Sequence, residues 1–160
     1  MARKYDFECE VFENKSLLDK DIQNLVDIAN KQLDTAYAPY SKFLVGAAVL
    51  LSNGNIYKGC NQENASYPLC ICAERVALFN MGANEKSFKI KALVITASNP
   101  SKPLEEVCMP CGACRQVIQE FENRQNGPIP IYLTSEQNEI VKIDGISKIL
   151  PASFSMRHLL

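Results

Sequence analysis

Two short cysteine motifs, far apart in the chain, constrain its fold more than any other feature. The first is Cys72-x-Glu74, and the second is Cys111-x-x-Cys114, which directly follows a proline. Three cysteines can hold a zinc ion and leave its fourth tetrahedral position to a water, and a carboxylate beside them can then move the proton of that water. The fold is therefore predicted to bring both motifs to one catalytic zinc site, with the three cysteines as ligands and Glu74 as the proton carrier.

Each motif is predicted to lie at the start of a helix. On a helix Cys111 and Cys114 share one face because they are three residues apart, and Pro110 is typical of a first turn. The N-terminus of a helix carries roughly half a positive charge, which favours thiolate over thiol. Arg75 and Arg115 stand beside the ligands. We expect them to offset the negative charge of three thiolates around a divalent cation, with Arg75 as a supporting residue of the site.

A closed structural site is the alternative. A Cys70-x-Cys72 pair could join the second motif in a four-cysteine zinc site without chemistry. The single intervening residue argues against it, since structural sites typically place two to four residues between paired ligands, and such a site has no use for Glu74. The only histidine, His158, is interpreted as a solvated residue near the C-terminus. The remaining cysteines are interpreted as ordinary thiols: Cys9, Cys60 and Cys108.

The composition indicates one domain that acts on a small molecule. We divide the chain of 160 residues into a polar lead-in over residues 1–15 and a single catalytic domain over residues 16–160. The net charge is −1 and no basic run is present, whereas nucleic-acid binders need a basic surface. No apolar run approaches the roughly 18 residues of a membrane span, and we find no signal peptide. We therefore expect a cytoplasmic protein that binds neither nucleic acid nor membranes.

The pattern of apolar residues predicts an α/β fold. One helical face spans residues 16–36, with a capping box formed by Ser16 and Asp19, and an Asn53-Gly54 turn joins two strands into a hairpin. The predicted strands are 44–51, 56–60, 90–97, 129–134 and 139–143, and the other helices are 72–81, ending near Gly82, and 111–121, with a short helical turn at 146–150. This order predicts a three-layer α/β/α architecture, with helices on both faces of one mixed sheet of about five strands.

Taken together, the motifs resemble those of the small cytidine deaminases that act on free nucleosides. The similarity covers residues 17–154, nearly the whole chain, and the zinc motif alone would fit several deaminase families. The Asn61-x-Glu63-Asn64 stretch is more selective. Beyond the cysteine motifs, the resemblance is carried by residues 37–43, 45–48, 59–67 and 150–154.

The resemblance implies a nucleoside-binding role for three residues. Asn61 and Glu63 match residues that hydrogen-bond the ribose, notably its 3′-hydroxyl. An amide and a carboxylate two residues apart on an extended segment project to one side, which suits the hydroxyls of a sugar. Phe43 matches an aromatic residue that stacks on the base. Without the motif, two polar residues at a strand end and a core phenylalanine would be the simpler interpretation.

Four more residues receive expected roles from the same resemblance. The backbone around Ala73 is expected to contact the base, and the carbonyl of Met109 is expected to meet the leaving amino group. Tyr67 and Phe154 match aromatic residues that reach the site of a neighbouring subunit. The resemblance therefore implies a homotetramer with shared active sites.

The reaction that the resemblance implies is hydrolytic deamination of cytidine and 2′-deoxycytidine to uridine and 2′-deoxyuridine plus ammonia, as in pyrimidine salvage, with one zinc ion per chain. Glu74 would take a proton from water, deliver it to N3 of the base and later protonate the departing amine. A same-fold deaminase of another small cytosine-bearing compound is the nearest alternative. A polynucleotide deaminase is disfavoured by the charge, and the four-cysteine module stays the alternative from a different class.

Overall fold

A mixed sheet of six strands forms the centre of the computed structural model, which describes residues 7–159. The strand order is β1-β6-β5-β4-β2-β3, in which β4 and β5 are parallel and every other neighbouring pair is antiparallel. The strands are β1 Glu10–Phe12, β2 Leu44–Leu51, β3 Ile56–Cys60, β4 Ile90–Ser98, β5 Pro130–Thr134 and β6 Ile140–Asp144. The α-helices are α1 Lys20–Lys31, α2 Ala73–Asn84 and α3 Gly112–Gln125.

Alternate residues of the central strands point to two separate cores. Ala47 and Val49 of β2 pack in the cluster that contains buried residues of α2 and α3. Ala48 and Leu50 of the same strand pack in the cluster that contains the buried face of α1. Successive side chains of a strand lie on opposite faces of a sheet, so both faces of the sheet are covered by helices. The predicted three-layer α/β/α class is confirmed.

The sheet has one strand more than the about five that the sequence predicts. The additional strand, β1, lies in the segment that we treated as a polar lead-in. It pairs with β6 through the register Glu10↔Lys142 and Phe12↔Ile140. A strand of only three residues, one of them charged, is too short to show an alternating apolar pattern. Its partner, β6, lies near the other end of the chain. Local sequence therefore could not indicate this strand.

The start of α1 also differs from the prediction. The expected capping box of Ser16 and Asp19 is wrong, because the helix begins at Lys20 and the Asp19 side chain makes no capping hydrogen bond. The Asn14 side chain instead accepts a hydrogen bond from the Ser16 backbone N–H, where it caps a separate 3-10 turn at Lys15–Leu17. A short 3-10 turn at Gln32–Thr35 follows α1.

Gly82 lies inside α2 and does not end it. A Cβ atom built at Gly82 would lie 3.3 Å from the ring of Phe121 on α3, so the glycine allows the two helices to approach each other. Helix packing here outweighs the low helix propensity of glycine. α3 likewise continues past Phe121 and ends at Asn126, whose left-handed backbone (φ 52°) closes the helix. Among residues 7–159, no helix is both long enough and apolar enough to cross a membrane.

Candidate active site

Three cysteine sulfurs converge where the N-termini of α2 and α3 meet. Cys72 is the N-cap residue of α2, Cys111 is the N-cap residue of α3, and Cys114 lies in the first turn of α3. Their Sγ atoms all lie within 4.8 Å of one another, and those of Cys72 and Cys111 are 3.9 Å apart. Cys114 is fully buried, whereas Cys111 is exposed.

This donor set fits a zinc ion with one open position. Tetrahedral zinc with bonds of about 2.3 Å to sulfur requires sulfurs about 3.8 Å apart, close to the separations in the cluster. Among the described residues, the group competent to bind a metal contains these three cysteines and not Cys70. The Cys70 sulfur instead accepts a hydrogen bond from the Asn64 backbone N–H at 3.2 Å. The geometry favours the open catalytic arrangement over the four-cysteine alternative.

Gly59 on β3 lets the first turn of α2 lie directly against the sheet. A Cβ atom at this position would lie 2.5 Å from the backbone N of Ala77 and 2.6 Å from the carbonyl of Ala73, so a side chain would push the helix away. The close contact fixes the helix start that carries Cys72 and Glu74. Ala73 itself is fully buried.

Arg115 fixes the start of α3 to the C-terminal part of the chain. Its Nε atom donates to the carbonyl of Pro110 at 2.7 Å, and its Nη1 atom donates to the carbonyl of Ile149 at 2.7 Å. We expected this guanidinium to offset thiolate charge. Its hydrogen bonds go to these two carbonyls, and its effect on the thiolate charge stays a prediction.

Arg75 has the electrostatic contact that we expected. Its Nη2 atom lies 3.5 Å from the Cys72 sulfur, and its buried Nε atom has no hydrogen-bond partner among the described residues. A hydrogen bond from Cys114, helped by Arg75, lowers the pKa of Cys72 to about 5 against the opposing effect of burial. The pKa of Cys114 is raised, first by that same hydrogen bond and then by burial. Cys72 is therefore the first of the two to become a thiolate.

Glu74 lies in the first turn of α2 and is only 4% exposed. Two helical residues that are two apart lie about 200° apart around the axis, but the extended backbone of Cys72 (ψ 151°) allows both side chains to line one cavity. Burial, above all, raises the pKa of Glu74, and the negative charge of Cys72 raises it further. A carboxyl group with a raised pKa beside a cluster of metal-binding thiols is suited to proton transfer.

A cavity of about 360 Å³ opens in front of Glu74 and the thiols. Its volume is at the lower end of the range of small-molecule pockets, roughly 300–1,000 Å³. Among the described residues, the lining contains no lysine or arginine. The lining residues are Ser41, Phe43, Val45, Asn61, Gln62, Glu63, Cys70, Ile71, Cys72, Glu74, Ile95, Cys108, Met109 and Cys111.

The expected ribose-binding residues lie at the mouth of this cavity, against residues 40–45, which we call the rim loop. The Asn61 side chain donates to the carbonyl of Phe43 and accepts from the N–H of Val45, both at 2.8 Å. Glu63 accepts from the N–H groups of Tyr40 and Ser41 at 2.9 and 3.3 Å. A hydrogen bond with the Ser41 side chain is the main reason that the pKa of Glu63 is lowered.

The lining does not include the predicted site residues Tyr67, Ala73, Arg75, Cys114 and Phe154, and of these Tyr67 and Phe154 are exposed. Tyr67 is 68% exposed and contacts Tyr40 edge to face, with ring centroids 5.8 Å apart. Phe154 is 56% exposed and stacks on His158 at 5.4 Å. His158 is exposed, as the sequence suggested, but its Nδ1 atom also contacts Ser155.

Two cysteines that the sequence analysis left outside the active site line the cavity. Cys70 and Cys108 are both partly buried there. Burial raises the pKa of the Cys108 thiol, which makes it less reactive. The only sequence signal for their place in the cavity is that each cysteine lies close to a motif cysteine in the chain. Such proximity does not show which way a side chain points.

Comparisons with known proteins agree with this geometry. The family described as the cytidine and deoxycytidylate deaminase zinc-binding region matches residues 19–126. The cytidine deaminase of Sporosarcina psychrophila is 43% identical over 140 residues, which are 87% of this chain and 95% of that protein. The cytidine deaminase of Halalkalibacterium halodurans is 38% identical over 135 residues, which are 84% of this chain and 95% of that protein.

A solved structure is also similar over most of its length. The crystal structure of cytidine deaminase from Burkholderia pseudomallei gives a TM-score of 0.71 at 36% identity, covering 82% of this chain and 97% of that one. The family match includes both cysteine motifs, and with the first of them Glu74. On these grounds, the chain belongs to the cytidine and deoxycytidylate deaminase family.

Proposed function

We propose that the protein catalyses the zinc-dependent hydrolytic deamination of cytidine and 2′-deoxycytidine to uridine and 2′-deoxyuridine plus ammonia. One observation carries the proposal: three thiols converge beside a buried glutamate, next to a small cavity that no cationic side chain among residues 7–159 lines. Cys72, Cys111 and Cys114 would hold one zinc ion per chain. The relatives named above are cytidine deaminases, which supports this choice of substrate.

Zinc, when bound, supplies an acidified water near neutral pH. The protein supplies the proton transfers through Glu74. Its buried carboxylate would accept one proton of the water and pass it to N3 of the base as the water oxygen adds to C4. It would then take the remaining proton from the new C4 hydroxyl and give it to the amino group, which leaves as ammonia while the C4 carbonyl forms. Burial suits this task, because a raised pKa makes the carboxylate a stronger base for the proton that it accepts and returns. Arg75 supports the site by its contact with the Cys72 sulfur.

The nucleoside would lie with its base toward Glu74 and its sugar toward the rim loop. Phe43 would stack on the base, and the backbone at Ala73 and the Met109 carbonyl would contact its polar edge. Asn61 and Glu63 would bind the 3′-hydroxyl, since both line the mouth of the cavity. Two carboxylates, Glu63 and Glu74, line the cavity and no described lysine or arginine does, so the proposal favours a nucleoside over a negatively charged nucleotide.

A homotetramer with shared sites is part of the proposal. The exposure of Tyr67 and Phe154, both outside the cavity of their own chain, supports their contact with a neighbouring copy. Large exposed aromatic side chains are typical of protein interfaces. The cytoplasmic location and the role in pyrimidine salvage stay predictions from the sequence.

The first experiment is to follow cytidine absorbance with the purified, zinc-quantified protein while ammonia is measured in parallel. The proposal predicts conversion to uridine with stoichiometric ammonia at one zinc per chain, and no conversion of cytidine 5′-monophosphate. Zinc binding without turnover of either nucleoside would contradict the proposed substrate. It would favour a deaminase of another cytosine-bearing compound, which the same ammonia assay would detect.

A further inference from the structure

Both polar atoms of the Asn61 amide have backbone hydrogen-bond partners. Its Nδ2 atom donates to the carbonyl of Phe43 and its Oδ1 atom accepts from the N–H of Val45, both at 2.8 Å. The side chain thus bridges the backbone on both sides of Leu44, where the rim loop enters β2. Two bonds in opposite directions also fix which way the amide points, because the oxygen cannot donate and the nitrogen cannot accept.

Glu63 holds the other half of the rim loop. One carboxylate oxygen accepts from the N–H groups of both Tyr40 and Ser41. The Ser41 hydroxyl in turn accepts from the N–H of Phe43 at 3.0 Å. Between them, Lys42 has a positive φ of 59°, a conformation that non-glycine residues rarely adopt and that needs support from its surroundings.

We propose that Asn61 and Glu63 position the Phe43 ring before a nucleoside binds, in addition to contacting the ribose. This inference rests on the proposed function only for the role of Phe43 as the stacking residue. All the backbone bonds described above converge on the segment that carries this ring, and the half-buried Phe43 ring lines the cavity. Sugar recognition and base stacking are then coupled, because the residues that contact the sugar also set the surface on which the base stacks.

The amide orientation leaves defined atoms for the sugar. The second hydrogen of Asn61 Nδ2 takes no part in the bonds described, and the second oxygen of Glu63 accepts from neither of the two backbone N–H groups. A hydroxyl placed between them can accept from the amide and donate to the carboxylate. The 3′-hydroxyl would therefore join an existing network without displacing the rim loop.

The chain contains no tryptophan, which allows a direct test in the ligand-free protein. The variant Phe43→Trp introduces a single fluorescent indole at the ring position. In this background, Asn61→Ala and Glu63→Ala each remove at least two bonds to the rim loop, which shifts its local opening by about tenfold to a hundredfold. We expect a red-shifted emission and greater quenching by iodide, with zinc content and far-UV circular dichroism unchanged.

Two variants serve as matched controls. Asn55→Ala removes an asparagine amide at the opposite end of β3, where its partner is Glu85, and should leave the emission unchanged. Glu63→Gln keeps an oxygen that can accept from Tyr40 and Ser41, so it should restore the emission that Glu63→Ala loses. An emission insensitive to Asn61→Ala and Glu63→Ala would overturn the proposal.

Hydrogen exchange gives a second readout that does not need the indole. With Phe43 in place, the amides of Tyr40, Ser41 and Val45 should exchange about tenfold faster in the two alanine variants. Unchanged exchange at these amides would also overturn the proposal. Both readouts use protein without nucleoside, so a failure to deaminate cytidine would refute the proposed function and leave this inference to be decided separately.

Discussion

The active site joins two regions that are built in different ways. The metal corner comprises Cys72, Glu74, Arg75, Cys111 and Cys114, which all lie in or at the first turn of α2 or α3. The nucleoside rim comprises the rim loop with Asn61 and Glu63, and its conformation depends on hydrogen bonds between side chains and distant backbone. The corner follows from local helix geometry, whereas the rim follows from contacts across the fold.

This difference separates two kinds of defect. A substitution in the metal corner removes a ligand, a charge or a proton carrier, so it should act on zinc content or kcat. A substitution in the nucleoside rim leaves the metal untouched and should act on KM. The variants below are chosen to test this separation.

The largest effect is expected for Cys111→Ala. Two remaining thiols cannot complete the site, so the variant should lose its zinc and all measurable deamination. The matched control is Cys70→Ser, which removes a neighbouring thiol that lies outside the metal-binding group and should keep one zinc per chain. Metal analysis of both purified proteins checks the prediction. Full zinc in Cys111→Ala, or its loss in Cys70→Ser, would refute the ligand assignment.

Arg75→Ala should lower kcat by about tenfold to a hundredfold while zinc stays bound, because a charge-assisted hydrogen bond to Cys72 is lost. The uncompensated thiolate charge makes the activated water less acidic. The acidic limb of the kcat profile should therefore move to higher pH. Arg124→Ala is the control, since Arg124 lies over the rings of Phe88 and Phe121. Unchanged kinetics in Arg75→Ala would argue against its role in the metal corner.

A smaller effect is expected for Phe154, which we propose contributes to the site of a neighbouring copy. Phe154→Ala should raise the KM for cytidine about tenfold, from the apolar contact that is lost, without changing zinc content. Met156→Ala removes another exposed apolar side chain from the same segment and should have a weaker effect. Steady-state kinetics measures the KM of each variant, and a parallel measurement of the number of subunits checks that the assembly is unchanged. Equal KM values in Phe154→Ala and the unmodified protein would contradict a role for Phe154 in substrate binding.

The smallest effect concerns stability alone. Glu122 is 8% exposed and accepts from the N–H groups of Ile129 and Ile146 at 2.9 and 2.8 Å. Glu122→Ala should lower the free energy of unfolding by about 1–3 kcal/mol, because two buried donors lose their partner. Glu122→Gln keeps an acceptor and should cost less than about 1 kcal/mol.

The pH dependence of Glu122 has a definite sign. Burial raises its pKa in the folded state, so the native protein binds this proton more tightly than the unfolded chain does. The contribution of this group to stability is therefore largest at low pH and falls as pH rises from the unfolded pKa, about 4.3, through the raised folded value. Glu122→Gln should lack this decline. Urea unfolding at pH 5 and pH 8 measures it, and identical pH dependence in the two proteins would contradict the account.

The sequence predicts correctly those features that depend on residues close together in the chain. The bounds of β2 and β3 agree with the prediction because an uninterrupted apolar run and an Asn53-Gly54 turn mark them. The approach of Cys111 and Cys114 follows from their spacing at a helix start. Both features depend only on neighbours in the chain.

The remainder depends on contacts between distant segments. β1 is held by residues near 140, and the rim loop is held by Asn61 and Glu63, which follow it by about twenty positions. The motif indicated that these two residues face a ligand but gave no sign of their bonds to the backbone. The spacing of the cysteines in the sequence likewise could not predict that the side chains of Cys70 and Cys108 line the cavity.

The central claim is that Glu74 transfers the protons at a zinc site made by three cysteines. The most direct test is Glu74→Gln, which keeps the size and hydrogen-bonding capacity of the side chain but removes its acid–base function. We predict one zinc per chain, retained cytidine binding and a kcat lower by about a thousandfold or more. A zinc-loaded Glu74→Gln variant that deaminates cytidine within about tenfold of the normal rate would contradict the claim.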